Sequence, residues 1–230
     1  MINRPSITKE HSFTGHKDAI YALCGLNEHE FVSGGADGHI IKWNTNGYAA
    51  GDVVAKVSTS VYALSYDPLR GHLFIGQNFD GLHVIDPVAK REIASLQMTK
   101  AHIFDIQFDD DFLYIATGDG AIYIVSRESW KLVKMLNLSQ KSARTLQVDE
   151  HHIYAGYSDG YIRVIDKKNH KLIQEIQAHE NSIFSLCIDP TNKMILSGSR
   201  DAHLKIWSLE DAKALHLSLI HISEPTRRRG

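Results

Sequence analysis

The chain has 230 residues, 43% of them hydrophobic and 23% charged, an ordinary globular composition with material for one large core or two small ones. A formal net charge of -2 argues against nucleic acid or an anionic membrane as the main partner. No stretch approaches the roughly 20 apolar residues of a membrane span, and the opening MINRPSITKEHSF lacks the apolar segment of a signal peptide.

In chain order, residues 1–10 form a polar lead-in, and residues 7–13 are predicted to make one short strand. Gly15-His16 follows. Next come an apolar run through Ile20, Ala22 and Leu23, a short turn, a second run to Ser33, a tight Asp37-Gly38 turn and a third run closing on Trp43-Asn44. Three short strands joined by small turns make one unit of a repeated design. The turn recurs as Asp80-Gly81, Asp119-Gly120 and Asp159-Gly160, with Asp201-Ala202 as a fifth copy, at intervals of 43, 39, 40 and 42 residues. Asp-Gly suits a hairpin because Gly accepts positive φ and Asp bonds its own backbone.

A second signature precedes each turn. Ile20-Tyr21-Ala22-Leu23 matches Val61-Tyr62-Ala63-Leu64, Ile103-Phe104-Asp105-Ile106, Ala143-Arg144-Thr145-Leu146 and Ile183-Phe184-Ser185-Leu186. Segments 52–57, 91–97, 131–136 and 171–177 read as an outer strand for each of the first four units. Asp67-Pro68 and Asp189-Pro190 fall between first and second strands, where Pro interrupts no ladder. No helix-period segment precedes residue 209. A period of about 41 residues with three or four short strands per unit predicts an all-β propeller.

Little in this pattern carries catalysis. There is no Gly-rich phosphate loop, no G-x-S-x-G elbow and no zinc-ligand spacing, so no enzyme activity, cofactor or metal is expected. His151-His152 reads as a turn. Asp109-Asp110-Asp111 lacks the spacing of a Ca²⁺ loop and reads as a solvated turn. Cys24 and Cys187 occupy the same place in two units and read as buried, reduced thiols, which points to a reducing, cytoplasmic compartment.

The chain resembles the WD-repeat β-propellers over about residues 11 to 208, in five units. The resemblance implies a WD40-type β-propeller with a hydrogen-bonded tetrad in the first unit (His16, Ser33, Asp37, Trp43) and in the fifth (His179, Ser197, Asp201, Trp207). A buried carboxylate needs donors, and imidazole, hydroxyl and indole N–H supply them. In the middle units Ile85, Val125 and Ile165 replace Trp, and apolar packing is expected to hold those sheets. The resemblance also places Tyr21, Tyr62, Phe104, Arg144 and Phe184 around the mouth of a central channel, on a partner-binding face. His102 and Arg200, with Phe79 and Ser158, are expected to reach the same face. Aromatics with an Arg are the composition of an interface hot spot; the plainer reading has the aromatics filling space between sheets.

The expected function is therefore a non-catalytic scaffold binding a protein or peptide, with no nucleic acid or membrane partner, and monomeric when complete. The alternatives are a WD40 module of a larger enzyme or multidomain protein, and a small ligand or ion held in the channel. Residues 217–227, LSLIHISEPTR, resemble a translated sequencing adapter. The repeat domain is accordingly read as 11–216, with 217–230 a non-native tail. Seven units would need roughly 290 residues, so the expected architecture is an incomplete seven-bladed propeller, an open arc. A five-membered ring closed by residues 7–13 is the other arrangement.

Overall fold

The computed structural model describes residues 8–47, 50–191, 193–209 and the strand at 214–219. Every regular element among the described residues is a β-strand, and these form five four-stranded antiparallel sheets, each a meander in chain order. The first sheet is β1 (Ile20–Gly25), β2 (Glu30–Gly35), β3 (His39–Asn44) and β4 (Asp52–Lys56). The second is β5 (Val61–Asp67), β6 (His72–Gln77), β7 (Gly81–Asp86) and β8 (Arg91–Leu96). The third is β9 (Ile103–Phe108), β10 (Phe112–Thr117), β11 (Ala121–Ser126) and β12 (Leu132–Asn137). The fourth is β13 (Ala143–Val148), β14 (His152–Tyr157), β15 (Tyr161–Asp166) and β16 (Lys171–Gln177). The fifth is β17 (Ile183–Asp189), β18 (Met194–Ser199), β19 (His203–Ser208) and β20 (Ala214–Leu219).

The chain separates into two compact units, residues 1–78 with 83–95, and residues 79–82 with 96–230. In the first, β5 packs on β1 and β2 around Val32, Ile40, Val54, Val61, Leu73, Ile75 and Ile85. In the second, β13 packs on β9 and β10, and β17 packs on β13 and β14. One cluster there gathers Tyr114, Ile122, Leu146 and Ile153, and another gathers Tyr154, Ile162, Ile183, Leu186 and Trp207. Inner strands covered on both faces read as continuous apolar runs rather than as an alternation. Leu73, Phe74 and Ile75 are all fully buried.

The tight turns explain the Asp-Gly repeat. Gly38 has φ 70°, and a Cβ there would lie 2.4 Å from the carbonyl oxygen of Val57. The chain entering the next sheet runs directly over the turn, and Val57 N–H donates to the Gly38 carbonyl at 2.9 Å. The fifth turn keeps this conformation without glycine: Ala202 has φ 63°.

One irregularity recurs in all five sheets. The register between first and second strands slips once, between Ile20 and Ala22, Val61 and Ala63, Ile103 and Asp105, Ala143 and Thr145, and Ile183 and Ser185. The skipped residue, an extra one in a β-bulge, is Tyr21, Tyr62, Phe104, Arg144 or Phe184. A bulge leaves its extra residue out of the ladder and re-aims its side chain.

Several sequence expectations change. Residues 8–13 form no strand, and residue 7 lies outside the described residues. Phe13 instead packs its ring 5.3 Å from Phe31 and 5.5 Å from Trp43. Cys187 is exposed and Cys24 only half-buried; both are free thiols. Cys24 packs on the core of the first unit, whereas nothing comparable covers Cys187. The strand β20 takes in residues 217–219, which pair with β19; residues 220–230 lie outside the described residues.

Candidate functional site

Two kinds of constellation come from these sheets. The first is a relay at the tight turn. In the fifth sheet Trp207 Nε1–H donates to Ser197 Oγ at 2.9 Å, and Ser197 Oγ lies 2.7 Å from His179 Nε2. His179 Nδ1 lies 2.9 Å from Asp201 Oδ2. A carboxylate only accepts, so Nδ1 carries the proton, and burial pulls the imidazole below its ordinary pKa against the pull of Asp201. The neutral ring thus accepts the Ser197 hydroxyl at Nε2.

The first sheet repeats the geometry. Trp43 Nε1–H donates to Ser33 Oγ at 2.7 Å, Ser33 Oγ lies 2.6 Å from His16 Nε2, and His16 Nδ1 lies 3.0 Å from Asp37. Burial works against ionisation of both Asp37 and Asp201, yet the donors outweigh it. Lys17 N–H, His16 and His39 N–H hold Asp37 down to about 2. His179, His203 N–H and Glu180 N–H hold Asp201 down to about 2.

Ser, His and Asp in this order resemble a nucleophilic triad. However, Ser33 and Ser197 are each 1% exposed and each holds an indole N–H. A nucleophile must reach its substrate, so this geometry serves as a structural clamp between turn and strands.

The middle sheets have the apolar packing expected from the sequence, with Ile85, Val125 and Ile165 buried, and add polar clamps of their own. In the third, Asp119 accepts from Thr117 Oγ1 at 2.5 Å, Thr99 Oγ1 at 3.3 Å and Tyr123 OH at 3.4 Å. In the fourth, Arg163 donates to both oxygens of Asp159 at 3.2 and 2.9 Å and to Glu175 at 2.7 Å, and Ser139 donates to Asp159 at 3.0 Å. In the second, Gln77 Nε2–H donates to His83 Nε2 at 2.9 Å and His83 Nδ1–H donates to Glu92 at 2.6 Å. Two signals in the sequence carry this. Thr99 and Ser139 stand four residues ahead of the first strand of their sheets, where the first and fifth units have His16 and His179. His83, Tyr123 and Arg163 share one third-strand position, which is Ile41 in the first sheet. Asp109 also proves more than a solvated turn: Lys167 pairs with it at 2.8 Å and Tyr114 O–H donates to it at 2.8 Å.

The second constellation is the set of bulge side chains. In the first unit the Tyr21 and Tyr62 rings lie 4.6 Å apart, and Tyr21 is 48% exposed. In the second unit Phe79 and His102 lie 5.0 Å apart, and His102 and Phe104 5.7 Å apart. The Arg144 guanidinium sits 4.1 Å from the Phe104 ring centre and 5.8 Å from that of Phe184. Phe79 and Phe184 are each 53% exposed. The second unit thus brings five residues into one continuous row. Arg200 is exposed and donates its backbone N–H to the Ser182 carbonyl, with no ring of the row against it in the contacts described. Beneath the row, Asp105 accepts the Leu146 N–H at 2.7 Å from the neighbouring sheet, and burial pushes its carboxyl pKa up.

Residues 7–44 and 170–208 match the family model of the WD domain, G-beta repeat. No curated protein matches the sequence. Among solved structures, that of the computationally designed Ika8 protein superposes with a TM-score of 0.78 at 23% identity, covering 93% of this chain. The match spans 65% of the designed chain. Segments 7–44 and 170–208 are therefore WD40 repeats, and the described residues form an all-β fold of five four-stranded antiparallel sheets.

Proposed function

We propose that the chain is a non-catalytic scaffold that docks a protein or peptide on its bulge side chains. WD40 domains are typically interaction domains, and one observation carries the reading to these residues. Every sheet places a bulge at the same point, and the five residues so displaced are four aromatics and an Arg. Aromatics that only filled space between sheets would be covered, whereas Tyr21 and Phe184 stand about half exposed. Large rings and a guanidinium held rigidly at a surface suit a short motif with apolar and acidic groups. Free thiols at Cys24 and Cys187 fit a reducing, cytoplasmic setting.

The test is selection of peptides from a random display library on the wild-type chain, followed by Phe184→Ala and Arg144→Ala in the continuous row of the second unit. Each variant is expected to weaken the selected peptides by about tenfold or more. Melting should fall by no more than about 4 °C, since an exposed ring or cation contact is worth about 1 kcal/mol. Failure to select any binder, or equal binding by both variants, would sink the reading.

A further inference from the structure

The fourth strand of each meander ends its sheet, and its outer edge pairs with no described strand. Such an edge offers a row of backbone donors and acceptors to an extended chain. Three of these strands carry a carboxylate that is already paired within the protein. On β4, Asp52 meets Lys90 at 2.5 Å; on β8, Glu92 meets His83 at 2.6 Å; on β16, Glu175 meets Arg163 at 2.7 Å.

Strand β12, inside the second compact unit, departs from this pattern. It carries no carboxylate, and none occurs in residues 129–148, a stretch that holds Lys131, Lys134, Lys141 and Arg144. No ion pair among the described residues takes up Lys131 or Lys134. Their charge is felt in the fourth sheet: burial lowers the His170 pKa and Lys134 lowers it further, against the pull of Asp166. The strand is also apolar at its surface. Leu132, Val133 and Met135 are each about half exposed, where β4 exposes one such side chain and β16 two.

We propose that β12 takes up an extended acidic segment of a partner protein as a fifth strand of the third sheet. Backbone groups of the edge hold the guest, its apolar side chains cover Leu132, Val133 and Met135, and its carboxylates face Lys131 and Lys134. Charge decides what the guest is. A second copy of β12 would set lysine against lysine, and the bulge that leaves Val133 out of the ladder, between Leu132 opposite Val125 and Lys134 opposite Ile124, spoils a flat pairing of like edges. Lysines and bulges are the devices that keep edges from pairing with themselves. To an acidic strand the same lysines are attractive, and residues 134–137 remain in regular register with β11. The surface is separate from the row of bulge side chains and does not rest on it.

The experiment titrates the full chain into a labelled peptide of about eight residues, Glu alternating with Val, and reads fluorescence anisotropy. Hydrogen exchange with mass spectrometry locates the peptide. The wild type is expected to bind, with exchange slowed at residues 132–137. The double variant Lys131→Glu with Lys134→Glu is expected to weaken this peptide about tenfold or more and to gain a peptide of Lys alternating with Val. That gain also shows that the variant is folded. A wild type that does not bind overturns the proposal, as does protection away from residues 132–137. So does binding that the double variant leaves unchanged or loses without the reciprocal gain. Equal binding of a peptide with Ser in place of Val reduces the site to charge alone and overturns it too. Sedimentation showing that the wild type pairs with itself, and that the double variant does not, would assign the edge to a second copy instead.

Discussion

At the scale of single residues, the relay in the first and fifth sheets shows how a few atoms fix a turn. Ser33 Oγ receives the Trp43 N–H and meets His16, so one hydroxyl serves two partners. Removing it leaves a buried indole N–H and a ring nitrogen unsatisfied, a loss of about 2–3 kcal/mol. Ser33→Ala is thus expected to lower the denaturation midpoint while leaving the far-UV spectrum unchanged; a change within error would deny the relay its clamping role. These four-residue sets were legible through the resemblance to WD repeats, because a His ahead of the first strand (His16, His179), the turn Asp and the third-strand Trp recur together in both units. The middle clamps were not. Thr99, Ser139, Tyr123 and Arg163 belong to no motif, and the positions they share across sheets gain meaning once the fold brings them onto Asp119 and Asp159.

At the scale of elements, hairpins and bulges divide the labour. Four of the five tight turns carry glycine, and the fifth forces Ala202 into the left-handed region at φ 63°. An alanine there costs roughly 1–2 kcal/mol in strain, partly offset in a glycine by chain entropy. Ala202→Gly is expected to stabilise by up to about 1 kcal/mol, read as a higher urea midpoint at unchanged slope; a lower midpoint would place the strain elsewhere. The strand count and turn positions followed from the Asp repeat, since its phase is regular. The bulges did not: Tyr21 and its counterparts stand second in their strands, and an extra residue after a single strand residue leaves no alternation to break. A period-2 reading aims these side chains correctly only by chance. The strand expected at residues 7–13 failed for a related reason. Its apolar residue Phe13 answers to the Phe31 and Trp43 rings rather than to a ladder.

At the scale of the whole molecule, acid sensitivity is shared between the two units. Asp37 lies in the first and Asp201 in the second, each with a side chain at most 10% exposed and a pKa near 2. A carboxylate whose folded pKa is depressed stabilises fully above its unfolded value of about 4 and loses that stabilisation as pH falls toward the folded value. Each relay is worth on the order of 2 kcal/mol at neutral pH by this linkage. Stability is therefore expected to fall between about pH 4 and about pH 2. Asp37→Asn should flatten the response of residues 1–78, and Asp201→Asn that of residues 96–209. Hydrogen exchange followed by mass spectrometry reads the two separately, and an identical effect of both variants on both segments would refute the division.

The bulges carry a consequence for how such a chain changes over generations. A residue outside the ladder has no cross-strand partner whose size must match its own, so replacing it disturbs neither register nor core. The five positions form a lettering that is rewritten at little folding cost, while the flanking residues Val61, Ala143 and Ile183 stay locked by burial. Drift there alters what the surface recognises and spares the scaffold beneath, so related chains are expected to diverge fastest where this one carries Tyr, Tyr, Phe, Arg and Phe.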